Sequence, residues 1–77
     1  MPRAPQVVHV VAEMVANVIA VPVAPGDRVA EGDTVVLLES MKMEIPVLTE
    51  SAGTVAAIKV VPGDVVQEGD ILLSIDL

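Results

Sequence analysis

Val18-Ile19-Ala20-Val21-Pro22-Val23-Ala24-Pro25-Gly26-Asp27-Arg28-Val29-Ala30-Glu31-Gly32-Asp33 is followed, 37 positions later, by Val55-Ala56-Ala57-Ile58-Lys59-Val60-Val61-Pro62-Gly63-Asp64-Val65-Val66-Gln67-Glu68-Gly69-Asp70. Val35-Val36-Leu37-Leu38 then falls on Leu72-Leu73-Ser74-Ile75. Of the 21 pairs from position 18 to 38, ten are identical, and no gap is needed. A fixed period of this kind marks a duplicated structural unit. Each copy runs in the same order: an apolar segment, Pro-Gly-Asp, a short bridge, Glu-Gly-Asp, a second apolar segment. In such turns Pro sets φ, Gly supplies a positive φ, and Asp bonds back to the backbone.

The apolar segments between the turns are strands. Seventeen of the 77 residues are valine, and β-branched side chains suit a pleated, half-buried surface. Strands are predicted at about 7–12, 17–22, 28–30, 34–40, 43–49, 54–60, 65–67 and 70–76. No stretch keeps a 3.6-residue period over the length of a helix. Two copies of a four-strand unit each offer one apolar face, and neither copy buries its face alone. The expected fold is all-β: a flattened barrel or sandwich of two four-stranded antiparallel sheets with pseudo-two-fold symmetry. At this length residues 1–77 are expected to form a single domain. Residues 1–6, with two prolines and one charge, are expected to be a flexible N-terminus.

Composition excludes several function classes. The net charge is −7 with only four basic residues, and Phe, Trp and Tyr are absent. A nucleic-acid site needs clustered Lys/Arg or stacking platforms, and neither exists here. The lack of cysteine removes disulfides, thiolate zinc sites and thiol catalysis. The D-x-[DN]-x-[DN]-G pattern of a calcium loop is absent, so the Asp and Glu residues of the turns are read as turn formers. No apolar run is long enough to span a membrane, and no signal peptide is evident. A cytoplasmic chain, monomeric when isolated, is expected.

One stretch has no counterpart in the repeat. Position 42 plus 37 runs past the last residue, so Ser40-Met41-Lys42-Met43 is the joint between the copies. If segments 34–40 and 43–49 pair, Met41-Lys42 is the tip of a two-residue hairpin. Such tips require positive φ and favour Asn-Gly or Asp-Gly. Every other turn here uses Gly, so the chain departs from its own rule at this one place. Two readings stand: a surface lysine on a strained turn, or a lysine placed for use. An unassisted ammonium is a poor nucleophile, so the use it suits is accepting a group delivered by another enzyme. Lys59, inside a repeat unit, reads as a solvent-facing strand residue. His9, the single histidine, reads as a buried or edge structural residue. No nucleophile–base pair or phosphate-binding loop is visible, so the chain is not expected to be an enzyme.

At the joint the sequence resembles the biotinyl domains, the carrier modules of acyl-CoA and pyruvate carboxylases. Their attachment motif, Glu-Ala-Met-Lys-Met, stands here as Glu39-Ser40-Met41-Lys42-Met43. The duplicated Val-Xaa-Pro-Gly-Asp grammar, Pro46 and Gly53-Thr54-Val55 are also similar. Ser40 replaces the usual Ala, Glu13 stands where Pro is frequent, and Ala16-Asn17 stands where Gly-Thr is frequent. The two copies align without a gap, so the protruding thumb of some members is not expected. The resemblance is to the short, free-standing members; the initial Met and the end just after the last strand agree with that expectation.

The resemblance implies a function. In this family biotin protein ligase joins biotin to the matching lysine, here Lys42, through an amide. Biotin then carries an activated carboxyl group between the active sites of biotin carboxylase and carboxyltransferase. Glu39, Ser40, Met41, Met43 and Glu44 are the expected recognition residues around Lys42. Met41 and Met43 are expected to meet the ligase, as adaptable methionine surfaces do; they can also pack against the base of their own hairpin, and both can hold. A lipoyl carrier, whose motif centres on Asp-Lys-Ala, and an unmodified β interaction module are the alternatives.

Overall fold

The computed structural model describes residues 6–77. Eight strands follow one another: β1 Val7–Val11, β2 Ala16–Ala20, β3 Arg28–Val29, β4 Thr34–Ser40, β5 Met43–Leu48, β6 Gly53–Ile58, β7 Val65–Val66 and β8 Ile71–Asp76. They lie within about two residues of the segments read from sequence. They form two four-stranded sheets in the orders β1-β8-β6-β3 and β5-β4-β2-β7, and every neighbouring pair is antiparallel. The all-β class and the two-sheet architecture are as expected. The flexible N-terminus expected for residues 1–6 lies, for its first five positions, outside the described residues. Gln6 is tied down, its carbonyl accepting the Leu77 N–H at 2.9 Å.

Which strands share a sheet is decided by the structure. The two copies do not each make a sheet and then stack. Adding four to each label of one sheet, with β8 returning to β4 and β6 to β2, produces the order of the other. Each sheet therefore takes two strands from either copy. The physical reason lies in the turns, which hydrogen-bond across the copies. Gly26 donates to Val55 O and Val55 donates to Asp27 O; Gly63 and Val18 repeat the pair with Asp64, all at 2.8 Å. The backbone groups of one copy are satisfied by the other, so neither copy is a finished sheet.

The turns work as their chemistry requires. Asp27, Asp33, Asp64 and Asp70 each accept, through a carboxylate oxygen, the N–H of the residue three before, at 2.8–3.0 Å. Each also donates its own N–H to that residue's carbonyl. The glycine between has φ of +92° to +100° in all four turns. These carboxylates are thus occupied by backbone.

Bulges recur at the same offset. The β2–β4 register shifts between Val18 and Ala20, and the β6–β8 register between Val55 and Ala57. A bulge adds twist and bends the strand. Two further shifts, between Thr34 and Val36 in β4–β5 and between Val10 and Val11 in β1–β8, insert Val35 and Leu72, and there neighbours in sequence face inward together. Val35 and Val36 are both buried, as are Leu72 and Leu73. With Leu38, Val55 and Ile75 they form the centre of an aliphatic core. Among the described residues no helix is long and apolar enough to cross a membrane.

Candidate functional site

The β4–β5 hairpin closes with Ser40 opposite Met43. Met41 and Lys42 form the two-residue turn, with φ of 52° and 65°. They are the only non-glycine residues with positive φ among the described residues. Positive φ at both central positions is the signature of a type I′ turn, whose twist matches the flanking strands. The left-handed region costs an L-residue roughly 1–2 kcal/mol, so the tip is strained, as its composition predicts. The strain is held by six paired positions along β4 and β5, from Thr34↔Leu48 to Ser40↔Met43.

The two methionines are open to solvent. Met41 is 92% exposed and Met43 63% exposed, so neither packs into the base of the hairpin. Lys42 is exposed between them. Glu39 and Glu44 are direct cross-strand partners, one residue below the closing pair. Like charges in that arrangement repel, and Lys42 is the cation of the same hairpin. Ser40 is half-buried beneath the turn, a position where its small side chain is accommodated.

Other candidates fall away from this end or from any chemistry. Lys59 is exposed just past the end of β6, its N–H donating to Leu72 O. His9 is exposed on the edge strand β1, opposite Ser74. A cavity of about 430 Å³ lies between the edge strands β1 and β5, with Val8, Val10, Leu38, Ile45 and Val47 among its lining residues.

The pseudo-symmetry shows what is special about the tip. The pair at the equivalent place in the other copy is Leu77 with Gln6. The structure brings one further segment to the lysine's end. Asn17 is opposite Glu39, which puts the loop before β2 at the same end of the sheet as the hairpin tip. The loop 12–15 was not associated with the lysine by sequence reasoning. The signal was present in the repeat, where Met14 and Val15 oppose Ser51 and Ala52.

A symmetric β-sandwich that presents a single lysine on a strained, exposed hairpin is the architecture of a domain that carries a covalently held group. A family model described as "Biotin-requiring enzyme" matches residues 3–75, and the chain belongs to this biotin/lipoyl attachment family. A biotinylated protein TB7.3 homolog of Mycolicibacterium smegmatis is 70% identical over 37 residues. That stretch is 48% of this chain and 52% of the relative, so the match spans about half the length of the curated protein. A single-chain, multi-domain long-chain acyl-CoA carboxylase contains a similar fold, with TM-score 0.88 and 29% identity over 99% of this chain and 8% of that one. The lipoyl domain of the 2-oxoglutarate dehydrogenase complex from Azotobacter vinelandii is similar too, with TM-score 0.68 and 30% identity over 79% of this chain and 77% of that one.

The residues present fit such a group. Attachment requires a primary amine free of competing partners and raised clear of the fold. Lys42 sits on the outermost two residues of a hairpin and is exposed.

Proposed function

We propose that this chain is a biotin carboxyl carrier with Lys42 as its attachment residue, and that it performs no catalysis itself. The observation that carries the reading is the tip: an exposed lysine held in left-handed geometry, where glycine is the ordinary choice, between two exposed methionines. The relative named as a biotinylated protein and the acyl-CoA carboxylase neighbour support biotin over lipoate. The lipoyl-domain likeness keeps lipoate as the second reading.

In this reading biotin protein ligase delivers an activated biotin carboxyl to Lys42. The Lys42 amine loses a proton, its lone pair forms the amide bond to the carboxyl carbon, and AMP departs with the electrons of the broken bond. The hairpin's cation is lost, and Glu39 and Glu44 remain as its two charges. The bound biotin supplies the ureido nitrogen that takes up and releases a carboxyl group. The chain's own part is positional. Its paired strands fix the origin of a flexible arm, and the tether turns a diffusional encounter with biotin carboxylase and carboxyltransferase into a local one, on the order of millimolar effective concentration.

Intact mass after incubation with biotin protein ligase, ATP and biotin tests this. The expected result is one biotinyl addition to the natural chain and none to Lys42→Arg. A lipoyl-sized addition in cells that make both cofactors, or biotin on the Arg variant, overturns the assignment.

A further inference from the structure

The pseudo-two-fold axis supplies an internal control for what the fold needs and what the lysine's end needs. The same backbone is built twice, once around Lys42 and once around the Leu77–Gln6 pair. A residue required only for folding should recur in kind at both. At the lysine's end the loop after β1 carries Met14, 37% exposed, and Val15, 64% exposed. Their counterparts 37 positions on are Ser51 and Ala52. Val65, 65% exposed and paired with Asn17, has Arg28 as its counterpart, and Met43 has Gln6. The exchange is not total: Val7 and Leu77, both exposed, have Glu44 and Ser40 as their counterparts.

Met14 and Val15 are also placed to act with the hairpin. Val15 precedes by two residues Asn17, whose partner Glu39 precedes Met41 by two. Met14 lines the cavity between the edge strands, as does its counterpart Ser51, so the two ends differ there in the residue and not in the setting. Exposed apolar residues gathered at one end and fringed by carboxylates (Glu13, Glu39 and Glu44) mark an interaction surface. Lys42 stands between Met41 and Met43 in this set, which points to an occupant whose active site receives that lysine.

We infer that Met14 and Val15 form, with Met41 and Met43, one continuous face that biotin protein ligase reads when it modifies Lys42. The ligase surface that fits is an apolar depression with a basic rim, complementary to a chain of charge −7. Recognition thus extends beyond the hairpin to a loop remote from it in sequence. The inference rests on the biotin-carrier reading above.

The test exchanges the two copies. Met14→Ser/Val15→Ala places on the lysine's loop the residues that the other loop already uses. Ser51→Met/Ala52→Val makes the reverse change in the other copy. Steady-state biotin transfer from a purified ligase is measured for both, with biotinyl-AMP formation and a thermal melt as controls. The first variant should lose about tenfold in kcat/KM, through a raised KM for the carrier, since a few buried apolar anchors carry most of an interface. The reverse variant should match the natural chain. Val15→Ala alone, at a position too exposed to affect folding, should lose about threefold. Transfer within about twofold of the natural chain for the double variant overturns the inference while leaving biotin attachment intact. A natural chain that takes no biotin in this assay overturns the carrier reading and the inference together.

Discussion

Replacing the turn by Met41→Asn/Lys42→Gly should stabilise the domain while removing its attachment amine. Both residues occupy the left-handed region, at φ 52° and 65°, which costs an L-residue about 1–2 kcal/mol. Asn tolerates this region better than Met, and Gly has no Cβ to strain. The Met41 side chain is 92% exposed, so its loss removes no packing. Against the gain stands the freedom Gly adds to the unfolded chain, about 0.4–1 kcal/mol. The net expectation is about 1–2 kcal/mol of added stability. For a domain of this size each kcal/mol raises Tm by roughly 4–8 °C. Urea unfolding followed by circular dichroism measures it: the midpoint should rise by about 1 M with the slope unchanged. An unchanged or lowered midpoint at constant slope would show that the hairpin is not strained by its composition, and the account of the tip would fail.

Two further substitutions probe the frame that holds the tip. A Cβ on Gly53 would stand 2.7 Å from Ile75 Cγ2 and overlap the Asp76 carbonyl oxygen; Gly53→Ala should therefore cost about 1–3 kcal/mol in urea unfolding. The equivalent Ala16 is buried without such a clash, and Ala16→Gly should cost no more than about 1 kcal/mol. Asp27→Ala and Asp64→Ala each remove one carboxylate-to-backbone bond of the same geometry. Each should lower stability by about 0.5–1.5 kcal/mol, and the two costs should agree with each other, since symmetry makes the turns alike.

Much of the fold was legible because its turns obey local chemistry. Pro, Gly and Asp act within four residues, so Ala24-Pro25-Gly26-Asp27 and Val61-Pro62-Gly63-Asp64 declare themselves without reference to the rest of the chain. The strand segments between them follow from valine content, and the eight that were read are the eight present. The strained tip was legible as a departure from the same rules, since Met-Lys stands where Asn-Gly belongs. The sheet membership was not legible: which strands share a sheet depends on backbone bonds between residues 29 or 45 positions apart, such as Gly26 with Val55 and Val18 with Gly63. Spacing alone does not distinguish two stacked copies from two interleaved ones.

By itself the sequence determined a duplicated all-β unit, its turn positions, and a lysine at the one joint the duplication leaves unexplained. These are properties of neighbours in the chain, set by dihedral preference and local hydrogen bonding. The tertiary structure alone decided that the copies interleave, that Met41 and Met43 face outward, and that Met14 and Val15 come to the lysine's end. Those outcomes depend on register between distant strands. Backbone groups left open by one copy are satisfied by the other, and that exchange sets which side chains meet around Lys42.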